Sequence, residues 1–302
     1  MRDRVKIIVN PVSGKGGALR RAEEVATALR ALGCEVDLQQ TTQGGDARRL
    51  AGESRGFSAV AATGGDGTVN EVLNGLPIDG AGGSPSLAMI PSGTANVLAK
   101  ELRLPRKADQ LAQLLRQGNE AVWDLGVDRA SGRRFLLFAS AGYDAHVVHL
   151  FHAVRTGPIR MWQYLYWGLK SILKYDVPKI TVELDGQKMG DDVAWVLVSQ
   201  VACYGGPLVF TAHARPGRGT FEVMIQRGRS RWDVAKIFWS AALAWLFGGS
   251  CKAPDVTFHA AKRITLTSSD GRTVPLQVDG DPGGQLPAEL EIVPGAIRIA
   301  AP

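Results

Sequence analysis

Three glycine-rich segments hold the residues whose types and spacing could do chemistry. They are Asn10-Pro11-Val12-Ser13-Gly14-Lys15-Gly16-Gly17, Gly64-Gly65-Asp66-Gly67-Thr68-Val69-Asn70-Glu71 and Pro91-Ser92-Gly93-Thr94-Ala95-Asn96. Glycine lets the backbone approach an anion closely, and successive N–H groups at a helix N-terminus bind phosphate. Ser13, Thr68 and Thr94 add hydroxyl donors, so the expected ligand is phosphorylated. Two common phosphate loops do not fit. Gly14-Lys15 is followed by Gly16, where a P-loop needs a hydroxyl for magnesium. Gly14-x-Gly16 lacks a third glycine at Leu19, which excludes the dinucleotide fingerprint. Asp66 is the most informative residue. A carboxylate among phosphate-binding glycines repels the ligand unless a metal bridges them or a proton must be removed. Magnesium, held by one or two carboxylates plus substrate phosphates, answers that need. The other reading of Asp66 is a turn aspartate capping a helix that begins near Thr68.

Each of these loops follows a short apolar run that reads as a strand. Strands are predicted at 5–9, 34–38, 58–62 and 87–90, and helices at 18–32, 46–54, 68–76, 96–102 and 108–117. This alternation predicts a doubly wound α/β domain with helices on both faces of a largely parallel sheet. In such a sheet ligands bind at the carboxyl ends of the strands, where all three loops should converge. After Trp123 the rhythm changes. Strands at 134–140, 179–184, 193–199, 220–226, 263–267, 273–278 and 289–293, with Asp-Gly turns between them, predict an antiparallel β-sandwich or barrel. Two helical insertions interrupt it, at 160–174 and 232–247.

The bulk composition narrows the class. A chain of 302 residues, 45% hydrophobic and 21% charged, predicts two globular domains and no disorder. Cys34, Cys203 and Cys251 stand alone, which reads as free thiols and excludes a disulfide framework or zinc finger. The opening MRDRVKIIVNP carries too few apolar residues for a signal-peptide core. The longest apolar stretch, 234–247, contains Lys236 and is too short to span a bilayer. The net charge of +6 favours anionic partners, although spread over this length it is equally a solubility feature. No basic block or RNP-like motif points to nucleic acid.

NPVSGKGG, GGDGTVNEVLNGL and PSGTANVLAKEL, in this order, strongly resemble the diacylglycerol kinase catalytic domain. More narrowly, the chain resembles soluble bacterial lipid kinases of that superfamily, related to sphingosine and ceramide kinases and distantly to NAD kinases. Asp124-Leu125-Gly126, Ala141-Gly142-Tyr143-Asp144-Ala145 and Gln277-Val278-Asp279-Gly280-Asp281 match further family blocks, so the resemblance covers nearly the whole chain. It implies an α/β domain over 1–124, a β-sandwich over 125–295, and a final strand, 296–302, that returns to the first domain. It also implies transfer of the γ-phosphate of ATP to a lipid hydroxyl with Mg2+, on the cytoplasmic face of a membrane.

Carried over residue by residue, the resemblance places nucleotide contacts on Asn10, Pro11, Ser13, Gly14, Thr41, Gly65, Gly67, Thr68, Asn70, Glu71 and Thr94. It places Asp66 near the γ-phosphate and its metal. The family's Asp-Gly-Glu is here Asp279-Gly280-Asp281, so the implied base, Asp281, is one methylene shorter, with Asp279 in support. The competing reading of this triplet is a hairpin turn that favours Asp-Gly. Asp144 either holds the acceptor hydroxyl or is a structural acid.

A second departure is Gly217-Arg218-Gly219-Thr220-Phe221-Glu222, where relatives carry acids that bind a structural magnesium. Arginine cannot ligate a cation, so no such ion is expected. Arg218 either pairs with nearby acids in its place or the loop is organised differently. The aromatic, basic segment 159–175, with Trp232, Trp239 and Trp245, fits either a membrane interface and tail slot or core helices. His146, His149 and His152 have no acidic ligand beside them, so a metal site there is not expected. Diacylglycerol is the first expected acceptor. Ceramide, sphingosine, another lipid or NAD, and a regulator without catalysis, stay open, as does a homodimer through sandwich edges.

Overall fold

The computed structural model describes residues 2–78, 84–154, 161–172, 175–204, 208–228, 230–247 and 255–302. Cys251, and the ends of the aromatic segment at 159–160 and 173–174, lie outside them. The chain divides into two units: Met1–Leu125 with Gly295–Pro302, and Gly126–Pro294.

In the first unit, strands β1 (Arg4–Val9), β2 (Glu35–Gln40), β3 (Ala59–Gly64) and β4 (Ser86–Pro91) alternate with helices α1 (Ala18–Ala31), α2 (Asp46–Gly52), α3 (Asp66–Gly75), α4 (Val97–Glu101) and α5 (Ala108–Gln117). The strands pair in parallel in the order β2-β1-β3-β4. The end of the last strand joins β4 through Ile299 and Leu87, also in parallel. Burial drives the layering. Every residue of β3 is buried, as expected for a strand covered on both faces. Val5, Ile7, Val9, Ala61 and Ile90 pack against Ala22, Val25 and Leu29 of α1 and Leu111 and Leu115 of α5. Ile8, Val60 and Ala62, alternating with those residues, are buried on the opposite side. There α2 lies so close to α3 that a Cβ on Gly75 would stand 1.9 Å from the Arg48 carbonyl oxygen.

The second unit is antiparallel. Its strands begin with β5 (Glu120–Asp128), which crosses the unit boundary, and continue with β6 (Arg134–Phe135) and β7 (Phe138–Ala141). Helices α6 (Tyr143–Val154) and α7 (Met161–Ile172) precede β8 (Ile180–Leu184), β9 (Gln187–Ser199), β10 (Cys203–Tyr204), β11 (Leu208–Val209) and β12 (Phe221–Arg227). Helix α8 (Arg231–Phe247) is followed by β13 (Val256–Ala261), β14 (Arg263–Ser268), β15 (Pro275–Val278), β16 (Asp281–Gln285) and β17 (Ala288–Ala300). The order is β16-β15-β7-β9-β8-β14-β17, with β12 joining β9 to β13. Strand β9 serves both layers: it pairs with β8 early and lies between β7 and β12 late. The inner faces meet in a core of Val182, Val196, Val198, Val223, Ile264, Leu276 and Leu290 with stacked Phe135 and Phe221.

The expected strand 134–140 is split. The carboxylate of Asp279 takes the N–H groups of Leu136, Leu137 and Phe138, which a continuous strand would have given to a neighbour. Strand β13 was not legible, because it is a half-exposed edge with little alternation.

Candidate functional site

The parallel register aligns Val9 with Thr63, Thr63 with Ile90 and Gly64 with Pro91. The three glycine loops therefore leave the sheet side by side at its carboxyl edge. They are cross-tied. Asn10 N–H donates to the Thr63 carbonyl at 3.0 Å, Ser92 N–H and Gly93 N–H donate to the Gly64 carbonyl, and the Asn10 amide reaches the Thr68 hydroxyl at 3.5 Å.

The glycines divide by purpose. A Cβ on Gly93 would lie 2.4 Å from Gly65 Cα, and one on Gly14 would lie 2.4 Å from the Ser92 carbonyl oxygen. These two are glycine because loop packs on loop. Gly16, at φ +84, faces open space and is the one that leaves room for a ligand. The N-cap of α3, Gly65, offers no side chain, so the amides of the first turn beyond Asp66 face outward as an anion site would need. The hydroxyls of Thr63 and Ser92 are buried here with no hydrogen-bond partner.

Other expected nucleotide contacts sit as follows. Thr41 begins the loop after β2, its N–H donating to the Val9 carbonyl. Pro11, Ser13 and Gly67 are half-buried, and Thr94 is exposed. Glu71 accepts the Gly45 N–H at 3.2 Å, while buried Asn70 accepts from the Asn74 amide within α3.

Asp66 combines the two readings of the sequence in an unexpected way. Its oxygens accept the N–H groups of Val97 at 3.0 Å and Leu98 at 3.1 Å. It caps α4 after the third loop, not the helix it opens itself. The usual capping position, Asn96, is left-handed at φ 47 and turns its amide back onto Gly93. Burial pushes the Asp66 carboxyl above its ordinary range, against these two amides, its own N–H and Lys100. With its own N–H the carboxylate has taken three amide donors, which at about two acceptor positions per oxygen leaves one, so Asp66 still fits a cation shared with phosphates. Among the described residues no group of three or more His, Cys, Asp or Glu forms an all-protein cage for a metal.

In the second unit, Asp279 and Gly280 form a two-residue turn at φ 51 and 86 between β15 and β16. This is the turn that Asp-Gly favours. Asp279 is buried, and three backbone N–H groups occupy its carboxylate, so it anchors the β6–β7 link. Asp281, half-buried, opens β16 opposite Val278.

Asp144, in the first turn of α6, is buried. It accepts the hydroxyls of Ser140 at 2.5 Å and Tyr204 at 2.6 Å and the Ala145 N–H at 2.7 Å. Burial pushes its carboxyl up; those donors and the Trp195 indole oppose the shift. Aromatic rings extend from it: Tyr204 against Phe138 and Phe210, Trp195 stacked on Phe238, and Tyr143 edge-on to Tyr175 and Phe238. Ser140 and Tyr204 were not singled out in the sequence, and Gln277 stood there only as the first residue of a family block. Nothing local marks their use: the β7–β15 register sets Gln277 against Ser140, and Tyr204 reaches Asp144 from a separate strand pair.

The remaining expectations fall elsewhere. His149 meets the Leu276 carbonyl at 2.8 Å, His146 lies on Tyr175 and His152 is exposed. At 217–222 the side chains bond to the backbone of His213: the Arg218 guanidinium donates to its carbonyl, and the Glu222 carboxylate accepts its N–H. Helix α8 buries Val234 and Ile237 while Trp232 is 56% and Trp239 70% exposed. It is thus neither wholly core nor wholly surface. The Trp245 side chain lies outside those described.

Comparison with known proteins follows this division. Residues 4–127 match the diacylglycerol kinase catalytic domain, and residues 138–301 match the YegS C-terminal NAD kinase beta sandwich-like domain. A diacylglycerol kinase of Staphylococcus carnosus (strain TM300) is 27% identical over 306 residues, covering 100% of this chain and 96% of that protein. One from Bacillus subtilis (strain 168) is 27% identical over 302 residues, covering 99% and 96%. The crystal structure of a diacylglycerol kinase from Bacillus anthracis str. Sterne superposes with a TM-score of 0.74 at 20% identity, over 100% of this chain and 97% of that one, which establishes the fold. No helix among the described residues is long and apolar enough to cross a membrane. With both halves matched in order, this chain belongs to the diacylglycerol kinase catalytic-domain superfamily.

Proposed function

We propose that this protein is an ATP-dependent lipid kinase that phosphorylates the free hydroxyl of a lipid, with diacylglycerol as the first candidate. The observation that carries the reading is the loop cluster: a helix N-terminus without a side-chain cap at its N-cap, an open Gly16 and a half-buried carboxylate that still has an acceptor place, on one sheet edge. The names of the full-length relatives from Staphylococcus carnosus and Bacillus subtilis support diacylglycerol as the acceptor.

In this reading the amides of the first two loops hold the phosphates of ATP. Asp66 and those phosphates would hold Mg2+, which when bound neutralises charge on the transferring group. Asp144 accepts a hydrogen bond from the lipid hydroxyl and orients it, with the neighbouring aromatic rings against the tails. Asp281 takes the hydroxyl proton as the oxygen attacks the γ-phosphorus and ADP leaves. Asp279 contributes by fixing the turn that presents Asp281.

A membrane contact is proposed through α8. Trp232 and Trp239, two turns apart on one face, are exposed beside Arg231 and Lys236. Such a face fits the interfacial region of an anionic bilayer. Co-sedimentation with anionic vesicles should fall on raising salt and in Trp232→Ala/Trp239→Ala.

The deciding experiment is phosphate transfer from labelled ATP with magnesium to diacylglycerol, monoacylglycerol, ceramide, sphingosine and NAD in parallel. One labelled lipid, lost in Asp66→Ala, supports the reading and names the substrate. Label in NAD alone, or in no acceptor while ATP still binds, rejects it.

A further inference from the structure

Strands β15 and β7 pair with Gln277 opposite Ser140, and both side chains are fully buried. Their hydrogen bonds have a determined direction. The Gly280 N–H, which can only donate, meets Gln277 Oε1 at 2.8 Å. This orients the side-chain amide, so Gln277 Nε2 faces Ser140 Oγ at 3.0 Å. That nitrogen can also only donate, so the Ser140 oxygen is an acceptor there. Its single proton goes to Asp144 Oδ2, 2.5 Å away. Tyr204 gives Oδ2 a second hydroxyl donor, and the Ala145 N–H takes one place on Oδ1. With about two acceptor positions per carboxylate oxygen, Oδ2 is full, and the buried Trp195 indole N–H also turns its dipole to this carboxylate.

We infer that Gln277 and Ser140 are positioning residues that fix the Asp144 carboxylate, through Oδ2, in the orientation in which it meets the acceptor hydroxyl. They also tie Asp144 to the turn that carries Asp281. The inference rests on the proposed acceptor role of Asp144, and it deepens that role by naming what aims the carboxylate. Because the chain starts at a backbone amide of the 279–281 turn, a displacement of that turn is transmitted to Asp144 through two buried side chains. The other titratable groups around Asp144 are Tyr204 on β10, Tyr143 and His146 on α6, and Tyr175, whose hydroxyl is pushed well up by burial and by the Asp144 charge.

Gln277→Glu is the sharpest test, because it keeps shape and reverses polarity. The Gly280 N–H keeps its partner, but the second carboxylate oxygen now draws the Ser140 proton away from Asp144. Asp144 loses a donor and gains a nearby negative charge, both of which raise its pKa. The acid limb of kcat/KM for the lipid should move up by about one pH unit, with KM for ATP unchanged. The 13C titration of the Asp144 carboxyl, assigned by its loss in Asp144→Asn, should move the same way in the enzyme without substrates. Ser140→Ala removes the same donor with less disturbance and should shift that titration upward by a smaller amount. A folded Gln277→Glu or Ser140→Ala protein whose Asp144 titration is unchanged overturns the inference. The carbon signal reads the relay without turnover, so a wild-type protein that phosphorylates no lipid would reject the proposed function separately.

Discussion

The loop cluster of the first unit and the carboxylate cluster of the second are built from opposite materials. The first is mostly backbone. Its ties are amide to carbonyl, and two of its glycines exist because a Cβ would strike another loop. The second is made of buried side chains, in which Ser140, Gln277, Tyr204, Asp144 and Asp279 satisfy one another and nearby amides. A backbone cradle suits phosphate, whose charge is spread over several oxygens. A side-chain network suits one hydroxyl that must be held in one orientation. The difference also divides the vulnerabilities: the first site fails by steric intrusion, the second by loss of a hydrogen-bond partner.

The largest expected effect on stability is at Asp279. Asp279→Ala leaves three N–H groups in a buried link without their acceptor, a loss of roughly 3 kcal/mol or more. Asp279→Asn, which keeps one acceptor oxygen, should lose less. Urea denaturation of both variants checks the order; equal loss would mean that chain strain at φ 51, and not the carboxylate, matters there.

Gly93→Ala comes next, because the new Cβ would meet Gly65 Cα at 2.4 Å and backbone must move. A cost of about 1–3 kcal/mol is expected, with a rise in KM for ATP. Gly16→Ala meets no atom within 4 Å and carries only its left-handed φ, so about 1 kcal/mol is expected. If the two alanine variants unfold alike, the separation of packing glycines from a ligand-facing glycine is wrong.

The smallest effect is a pH dependence confined to the first unit. Asp46 accepts the Thr42 N–H and hydroxyl and the Gln43 N–H, which hold its carboxyl down to about 2 from 3.8. A carboxyl lowered on folding adds stability above its unfolded value, and that contribution is lost as pH falls from 3.8 through about 2. Asp46→Asn should therefore be less stable than the parent at neutral pH, with the gap closing across that acid window. Melting temperatures taken from neutral pH downward would show it; a gap independent of pH would assign the loss to something other than charge.

Much of this protein was legible in the residue order. The alternation that predicts strands at 5–9, 58–62 and 87–90 lies within a residue or two of β1, β3 and β4, because strand and helix periods are local properties. The three loops were legible for the same reason: glycine, proline and hydroxyl residues bunch where the chain turns. The Asp-Gly turn at 279–280 was equally local. Tertiary structure decided what each group is used for. Only the packing of the third loop on the second gives Asp66 the amides of Val97 and Leu98, a separation of about thirty residues that no periodicity records. Only the β7–β15 register sets Gln277 against Ser140, and only the return of β15 brings Asp279 to three amides more than a hundred residues earlier. Local conformational preference acts over a few residues and is written in sequence. The direction of a buried hydrogen bond depends on which distant donor is left without water, and folding alone settles that.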